Sequence, residues 1–105
     1  MKRTPFKRKI KSIPAHEKAH YKLIASLPCA ECGIDGWSQC AHSNLAIHGK
    51  GLGIKANYLY TFPLCCTRPD NIGCHVKLDQ LIGMTKEESI EKTMLYLLET
   101  NKKLL

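Results

Sequence analysis

The stretch FPLCCTRPDNIGCHVKLD, residues 62–79, predicts three successive elements: the end of a strand, a loop and a short helix. It opens inside an aromatic and apolar run, Tyr58–Leu64, that favours a β-strand. Pro63 makes this an edge strand or ends it early, because proline donates no hydrogen bond to a sheet. A loop over residues 66–73 follows, and a short helix is expected from near Gly73 to about residue 82. Cysteines bracket the loop, and a histidine and an aspartate follow on the helix.

Cysteine spacing points to a metal site. Cys29-x-x-Cys32 lies on a tight turn after Pro28, and two thiolates so spaced can bind one tetrahedral zinc ion. Cys65 and Cys74 supply two further ligands, and Cys66 is an alternative to Cys65. Such a site would join distant parts of a small chain and contribute directly to its folding. Cys40 is expected to be a buried thiol.

Two helices and a second strand complete the expected elements. An N-terminal helix runs from Pro14 to about Ser26, and a strand covers Trp37–His42. A C-terminal helix begins at a capping box formed by Thr85 and Glu88. The expected apolar faces are Ala19, Leu23, Ile24 and Leu27 on the first helix, and Ile90, Met94, Leu97 and Leu98 on the last. The fold class is therefore α+β, in a single domain over residues 14–105.

The positive charge is concentrated at one end of the chain. The net charge is +7, and residues 1–11 carry six basic side chains without an acidic one. Such an arm, residues 1–13, favours contact with the phosphates of a nucleic acid. Its basic residues are Lys2, Arg3, Lys7, Arg8, Lys9 and Lys11. No signal peptide or membrane-length apolar run is evident, so we expect a cytoplasmic protein with no membrane partner.

Histidines stand at two of the element boundaries. His42 ends the first strand. His75 follows Cys74, and Asp79 lies four residues further on, so the two side chains share a helix face and can bind one metal ion together. Between the strands, Gly49, Gly51 and Gly53 alternate in a long loop with basic residues that could contact phosphates, namely His48, Lys50 and Lys55.

The order of these motifs resembles the HNH (His-Me finger, ββα-metal) nucleases, especially small zinc-containing members from phages and prophages. The resemblance covers about residues 28–82 and rests on CxxC, Ala41-His42-Ser43, the glycine loop, Phe62-Pro63-Leu64-Cys65 and Cys74-His75 with Asp79. It implies a ββα-metal core with a structural zinc site, flanked by the N-terminal and C-terminal helices.

The same resemblance implies an endonuclease that hydrolyses phosphodiester bonds, with DNA as the substrate, in a bacterial host cell. It links the protein to DNA recombination or processing. His42 matches the general base, and Asn57 is the nearest match to the asparagine that steadies the loop. His75 and Asp79 match ligands of a catalytic Mg²⁺ or Mn²⁺.

Two features depart from the family pattern. Ala41 stands where the family often has a metal-binding Asp or His, and the spacer from Cys65 to Cys74 is longer than usual. A zinc-finger module that binds nucleic acid without catalysis, or a degenerate HNH fold, is therefore the alternative. His16-Glu17-Lys18-Ala19-His20 also matches the HExxH pattern of zinc proteases. A third ligand for such a site is not evident, so two solvated histidines are the expectation there.

Overall fold

Six elements follow one another in the computed structural model, which describes residues 13–51 and 55–104. Along the chain they are helix α1 (Ala15–Ala25), strand β1 (Ser38–His42), a 3-10 turn (Ala46–His48), strand β2 (Thr61–Cys65), helix α2 (Cys74–Asp79) and helix α3 (Lys86–Leu104). The predicted α+β class is confirmed. The basic residues of the N-terminal arm lie outside the described residues, so their expected role stays a prediction.

The two strands form an antiparallel hairpin whose two ends carry different chemistry. The register pairs His42 with Thr61 at one end and Ser38 with Cys65 at the other. Pro63 lies within β2 opposite Cys40, which a strand tolerates at an edge. The strand thus continues past the proline to Cys65. It starts later than predicted because residues before Thr61 form a turn, in which Tyr60 N donates to Asn57 O.

Strand β2 is the centre of the core, since all five of its residues are buried. Phe62 and Leu64 are fully buried and belong to a cluster that includes Leu78 of α2 and Tyr96 of α3. Helix α1 packs against the sheet through Ile24. The predicted face of α1 is wrong in extent, because Leu23 is 48% exposed and Ala19 is exposed.

Helix α3 packs through a different face from the one predicted. Its buried residues are Thr93, Tyr96, Leu97 and Thr100. Of the predicted stripe only Leu97 is buried, whereas Ile90, Met94 and Leu98 are exposed. Tyr96 takes the central place because its hydroxyl donates to Glu31 Oε2 at 2.6 Å, so the polar end of a large buried ring is satisfied. The predicted capping box is confirmed by the reciprocal hydrogen bonds of Thr85 and Glu88. No helix of the described residues has the length and apolar character needed to cross a membrane.

Candidate functional site

Four cysteines meet at the end of the sheet where β1 begins. The sulfur atoms of Cys29, Cys32, Cys65 and Cys74 all lie within 4.8 Å of one another. Cys32 Sγ is 3.8 Å from Cys65 Sγ. Tetrahedral zinc with Zn–S bonds of about 2.3 Å requires sulfur atoms about 3.8 Å apart. The cluster can therefore hold a zinc ion, and its members are the predicted set.

The electrostatics of the cluster call for a cation. Burial raises the pKa of the Cys74 thiol, and the neighbouring thiols Cys65 and Cys29 raise it further. Burial also acts against ionisation of Cys65, but the Cys74 amide and the surrounding thiols donate to its sulfur and lower its pKa to about 7. Without a metal ion, ionisation of one thiol raises the pKa of the neighbouring thiols. A divalent ion removes this competition, because it stabilises all four thiolates together.

Backbone contacts bring the four cysteines together. In the CxxC turn, Gly33 N donates to Cys29 O, and Ala30 N donates to Pro63 O at 2.8 Å, which fastens the turn to β2. Before α2, Gly73 lies directly on the backbone of residues 65–67, where a β-carbon would collide with main-chain atoms. This close approach lets Cys74 N donate to Cys65 Sγ. Between the two alternatives, Cys65 belongs to the cluster and Cys66 does not.

A second candidate site lies at the other end of the sheet. It is a cavity of about 250 Å³ formed by the end of β1, the loop that follows and one face of α2. Three of the residues predicted from the sequence, His42, His75 and Asp79, line it. Lys50 and Lys55, predicted to contact phosphates, line it as well. The structure therefore brings together residues from segments more than thirty positions apart in the sequence.

Both ring nitrogens of His75 face oxygen atoms. Nδ1 lies 2.9 Å from Gln39 Oε1, and Nε2 lies 3.5 Å from Asp79 Oδ2. An amide oxygen only accepts, so Nδ1 carries a proton and donates it to Gln39. Nε2 then faces a carboxylate oxygen, and a metal-binding histidine is commonly oriented by such a hydrogen bond on its other nitrogen.

Asp79 is also held from its other side. Asn44 Nδ2 donates to Asp79 Oδ1 at 2.9 Å. The side-chain oxygen of Asn44 takes no part in this hydrogen bond, so it can act as a ligand for a cation. Within the described residues, however, the cysteine cluster is the one group of three or more His, Cys, Asp or Glu side chains close enough to bind a metal ion. His75 and Asp79 thus form a pair of neighbouring side chains and not a complete cluster of ligands.

His42 is half-buried at the end of β1. Its Nε2 lies 3.4 Å from the Tyr21 hydroxyl, and the two rings meet edge to face. Burial lowers the pKa of His42 below its ordinary value of 6.5, and the positive charges of Lys55, His75 and Lys50 lower it further. The ring is therefore neutral near pH 7 and able to accept a proton.

The structure places two expected site residues elsewhere. His48 is 8% exposed, its Nδ1 lies 2.6 Å from Ser43 Oγ, and its ring stacks on Tyr60. It fastens the loop after β1 and does not line the cavity. Asn57 accepts from Leu59 N with its side chain and does not line the cavity. Its backbone N–H donates to His48 O, so it steadies the loop without reaching His42.

The HExxH pattern on α1 has a structural explanation. The rings of His16 and His20 each meet the ring of Tyr58 edge to face, and His20 Nε2 lies 3.2 Å from Thr61 Oγ1. These contacts pack α1 against the turn before β2. His20 is thus partly buried and not solvated as expected.

Sequence reasoning missed three residues that contact the side chains of the second site. They are Gln39, which orients His75, Asn44, which holds Asp79, and Tyr21, which contacts His42. None of the three carries a local signal, because the partner of each is distant in sequence. Side chains of a strand alternate between its two faces, so Gln39 and His42 are expected on opposite faces of β1. The sequence pattern of β1 therefore gave no reason to assign both residues to one site.

Comparison of the chain with protein-family models, with curated proteins and with solved structures found no match.

Proposed function

We propose that this protein is a metal-dependent endonuclease of the HNH type that hydrolyses phosphodiester bonds in DNA. The observation that carries the proposal is the 250 Å³ cavity, in which a neutral histidine, a histidine–carboxylate pair and two lysines face one space. A hydrolase for phosphodiesters needs a base for water and positive charge for the phosphate. A binding module gives no joint purpose to His42, His75 and Asp79.

His42 is the proposed general base. Its lowered pKa keeps the ring unprotonated at neutral pH, so it can take a proton from the attacking water. Tyr21 is a positioning residue, because its contact with Nε2 limits rotation of the ring.

The remaining groups supply charge and orientation. A divalent cation, Mg²⁺ or Mn²⁺, bound by His75 and Asp79 would neutralise the scissile phosphate and the leaving oxygen. Lys50 and Lys55 attract the phosphate backbone into the cavity. Gln39 and Asn44 hold the two proposed ligands in place from behind.

The test is a cleavage assay on supercoiled, linear and branched DNA, and on RNA, with Mg²⁺ or Mn²⁺. We expect wild-type protein to cut DNA and His42→Ala to lose at least about 10²-fold in rate, as is typical when a general base is removed. His42→Ala should keep its zinc content and its DNA affinity. His16→Ala is the matched control, because His16 contacts Tyr58 outside the cavity and should leave cleavage unchanged.

Loss of a cation ligand should behave differently from loss of the base. Asp79→Ala should be partly rescued by raised Mn²⁺, whereas His42→Ala should not respond to metal. Absence of cleavage with every divalent ion would leave a zinc-containing nucleic-acid-binding module or a degenerate HNH fold. Equal cleavage by His42→Ala and wild type would show that another group is the base.

A further inference from the structure

A second and larger cavity adjoins the proposed catalytic one. It has a volume of about 410 Å³ and lies between the loop after β1, the C-terminal end of α2 and the first turns of α3. Asn44 and Asp79 line both cavities. Because these two side chains are hydrogen-bonded to each other, they form the partition between the two spaces. Whatever occupies the larger cavity therefore lies next to the proposed scissile phosphate.

The chemistry of this cavity differs from that of its neighbour. Its surface is mainly apolar, with Leu45, Leu78, Leu81 and Ile90 among its walls. Leu78 and Thr93 are buried and form its floor. Polar side chains also line it, namely Asn44, Asp79, Lys86, Ser89 and Thr93. Apolar walls with a few polar groups are typical of sites for small planar ligands, and the volume falls in the range of about 300–1,000 Å³ seen for such sites.

One wall residue has a strained backbone. Leu81 has φ of 53°, the left-handed conformation, which a branched or bulky residue rarely adopts. It occupies the position after α2 where the chain turns, with Ile82 N donating to Lys77 O and Leu81 N to Leu78 O. Glycine is the usual residue at this position of such a helix end. The Leu81 side chain lines the cavity, and backbone strain of this kind is often found at functional sites.

We propose that the 410 Å³ cavity binds an unpaired nucleobase of the DNA strand whose phosphate enters the adjacent catalytic cavity. This inference rests on the proposed nuclease function and deepens it, because it makes DNA with unpaired nucleotides the preferred substrate class. A base within a duplex is stacked and paired and cannot enter a pocket, whereas an unpaired base leaves the stack at low cost. Apolar side chains take up its faces, and polar groups of the lining, among them Lys86 and Ser89, are available to its edge.

Because the apolar cavity adjoins the basic catalytic cavity, a nucleotide is favoured over other occupants. Lys50 and Lys55 line the catalytic cavity, and Lys86 lines the apolar one, so positive charge flanks the path of a phosphate backbone. Among the described residues that line the apolar space, none is aromatic. A base bound there is removed from its stacking partners, which gives a direct spectroscopic signature.

The experiment uses a DNA duplex with one bulged 2-aminopurine, and a fully paired control duplex, in buffer without added divalent cation. 2-Aminopurine brightens when it leaves the base stack. We expect binding to the bulged duplex on the order of tenfold tighter than to the paired one, with increased fluorescence, because a paired base must first be unpaired and unstacked, whereas a bulged base avoids much of that cost. Ile90→Trp, which fills the cavity, should abolish both differences. Met94→Trp is the matched control, because Met94 is 53% exposed on the same helix outside the cavity.

A second variant separates the cavity from the fold. Leu81→Gly removes one wall and relieves the left-handed strain, so it should lower the preference for bulged DNA without lowering the melting temperature. Equal affinity of wild type for both duplexes, or an unchanged preference in Ile90→Trp, would overturn the inference. Cleavage of DNA without preference for unpaired nucleotides would refute the base site and leave the nuclease. Preference for the bulge without any cleavage would refute the nuclease and leave the base site.

Discussion

At the scale of single residues, the pH dependence of cleavage should report His42. Its folded pKa lies below 6.5 because of burial and of the charges on Lys55, His75 and Lys50. A general base acts when unprotonated, so the acidic limb of kcat/KM should have its midpoint below pH 6.5 and fall tenfold per pH unit below the lowered pKa. A cation on His75 and Asp79 would lower this pKa further.

Removal of a positive charge near His42 should shift the acidic limb of the kcat/KM profile in a direction that follows from the pKa of His42. Lys55→Ala removes a positive charge near His42, so the pKa of His42 should rise and the acidic limb of kcat/KM should shift to higher pH. Lys18→Ala, on the exposed surface of α1, serves as control and should leave the limb in place. A limb that moves to lower pH in Lys55→Ala would contradict the assignment of His42 as the base.

At the scale of elements, the junction between β2 and α2 depends on one glycine. In Gly73→Ala the new methyl group would meet the backbone of residues 65–67, which cannot move without displacing Cys65 of the cysteine cluster. We expect a loss of about 3 kcal/mol or more in the free energy of unfolding, together with weaker zinc binding. Urea denaturation and zinc titration measure the two effects.

A second glycine provides the comparison for this junction. Gly36 has φ of +83°, but a β-carbon added there would meet nothing within 4 Å, so Gly36→Ala carries backbone strain without a collision. Its cost should be about 1 kcal/mol, with zinc binding unchanged. Equal costs for the two substitutions would show that the close approach at Gly73 is not what constrains the junction.

Local sequence patterns predicted the existence of each helix and strand more accurately than the face that each one buries. The capping box at Thr85 and Glu88 depends on neighbours three residues apart, so α3 was predictable from its sequence. Its buried face was not, because Tyr96 is selected by Glu31, a residue of the CxxC turn sixty-five positions away. Likewise, α2 ends earlier than expected because Leu81 turns into the left-handed region.

The residues of the candidate sites likewise differ in how well the sequence predicted them. The four cysteines were predictable because tetrahedral zinc requires thiolates in recognisable spacings. Gln39 and Asn44 were not, since each acts through a partner about thirty-five positions further along the chain. His48 misled the prediction because its basic, glycine-rich surroundings suggested exposure, whereas Ser43 and Tyr60 hold it in the interior.

At the scale of the whole molecule, removal of zinc should unfold the domain. The cluster joins the turn after α1 to β2 and α2, and zinc binding in comparable small sites contributes on the order of 10 kcal/mol, similar to the whole stability of a small domain. Cys29→Ser, or treatment with a chelator, should therefore abolish cooperative thermal unfolding measured by circular dichroism. Elemental analysis of wild type should find one zinc ion per chain.

Neighbouring cysteines supply the controls for this measurement. Cys66→Ser and Cys40→Ser lie outside the cluster and should retain zinc and the folded state. A folded, zinc-free Cys29→Ser protein would refute a structural role for the metal.

The basic arm should determine how strongly salt weakens DNA binding. Deletion of residues 1–11 removes six positive charges, so the slope of log K against log salt concentration should become shallower by up to about 5. Zinc content and thermal unfolding should not change. An unchanged slope would mean that the arm makes no contact with phosphates.

The order of the zinc ligands along the chain also bears on protein synthesis. Cys74, the last thiol of the cluster, is followed at once by His75, and Asp79 lies on the same short helix. Any translation product that stops before residue 74 therefore lacks both the closing thiolate and the proposed cation ligands. Under the proposed function, such a fragment could neither fold around zinc nor cut DNA, so prematurely terminated chains would be harmless to the DNA of the cell that makes them.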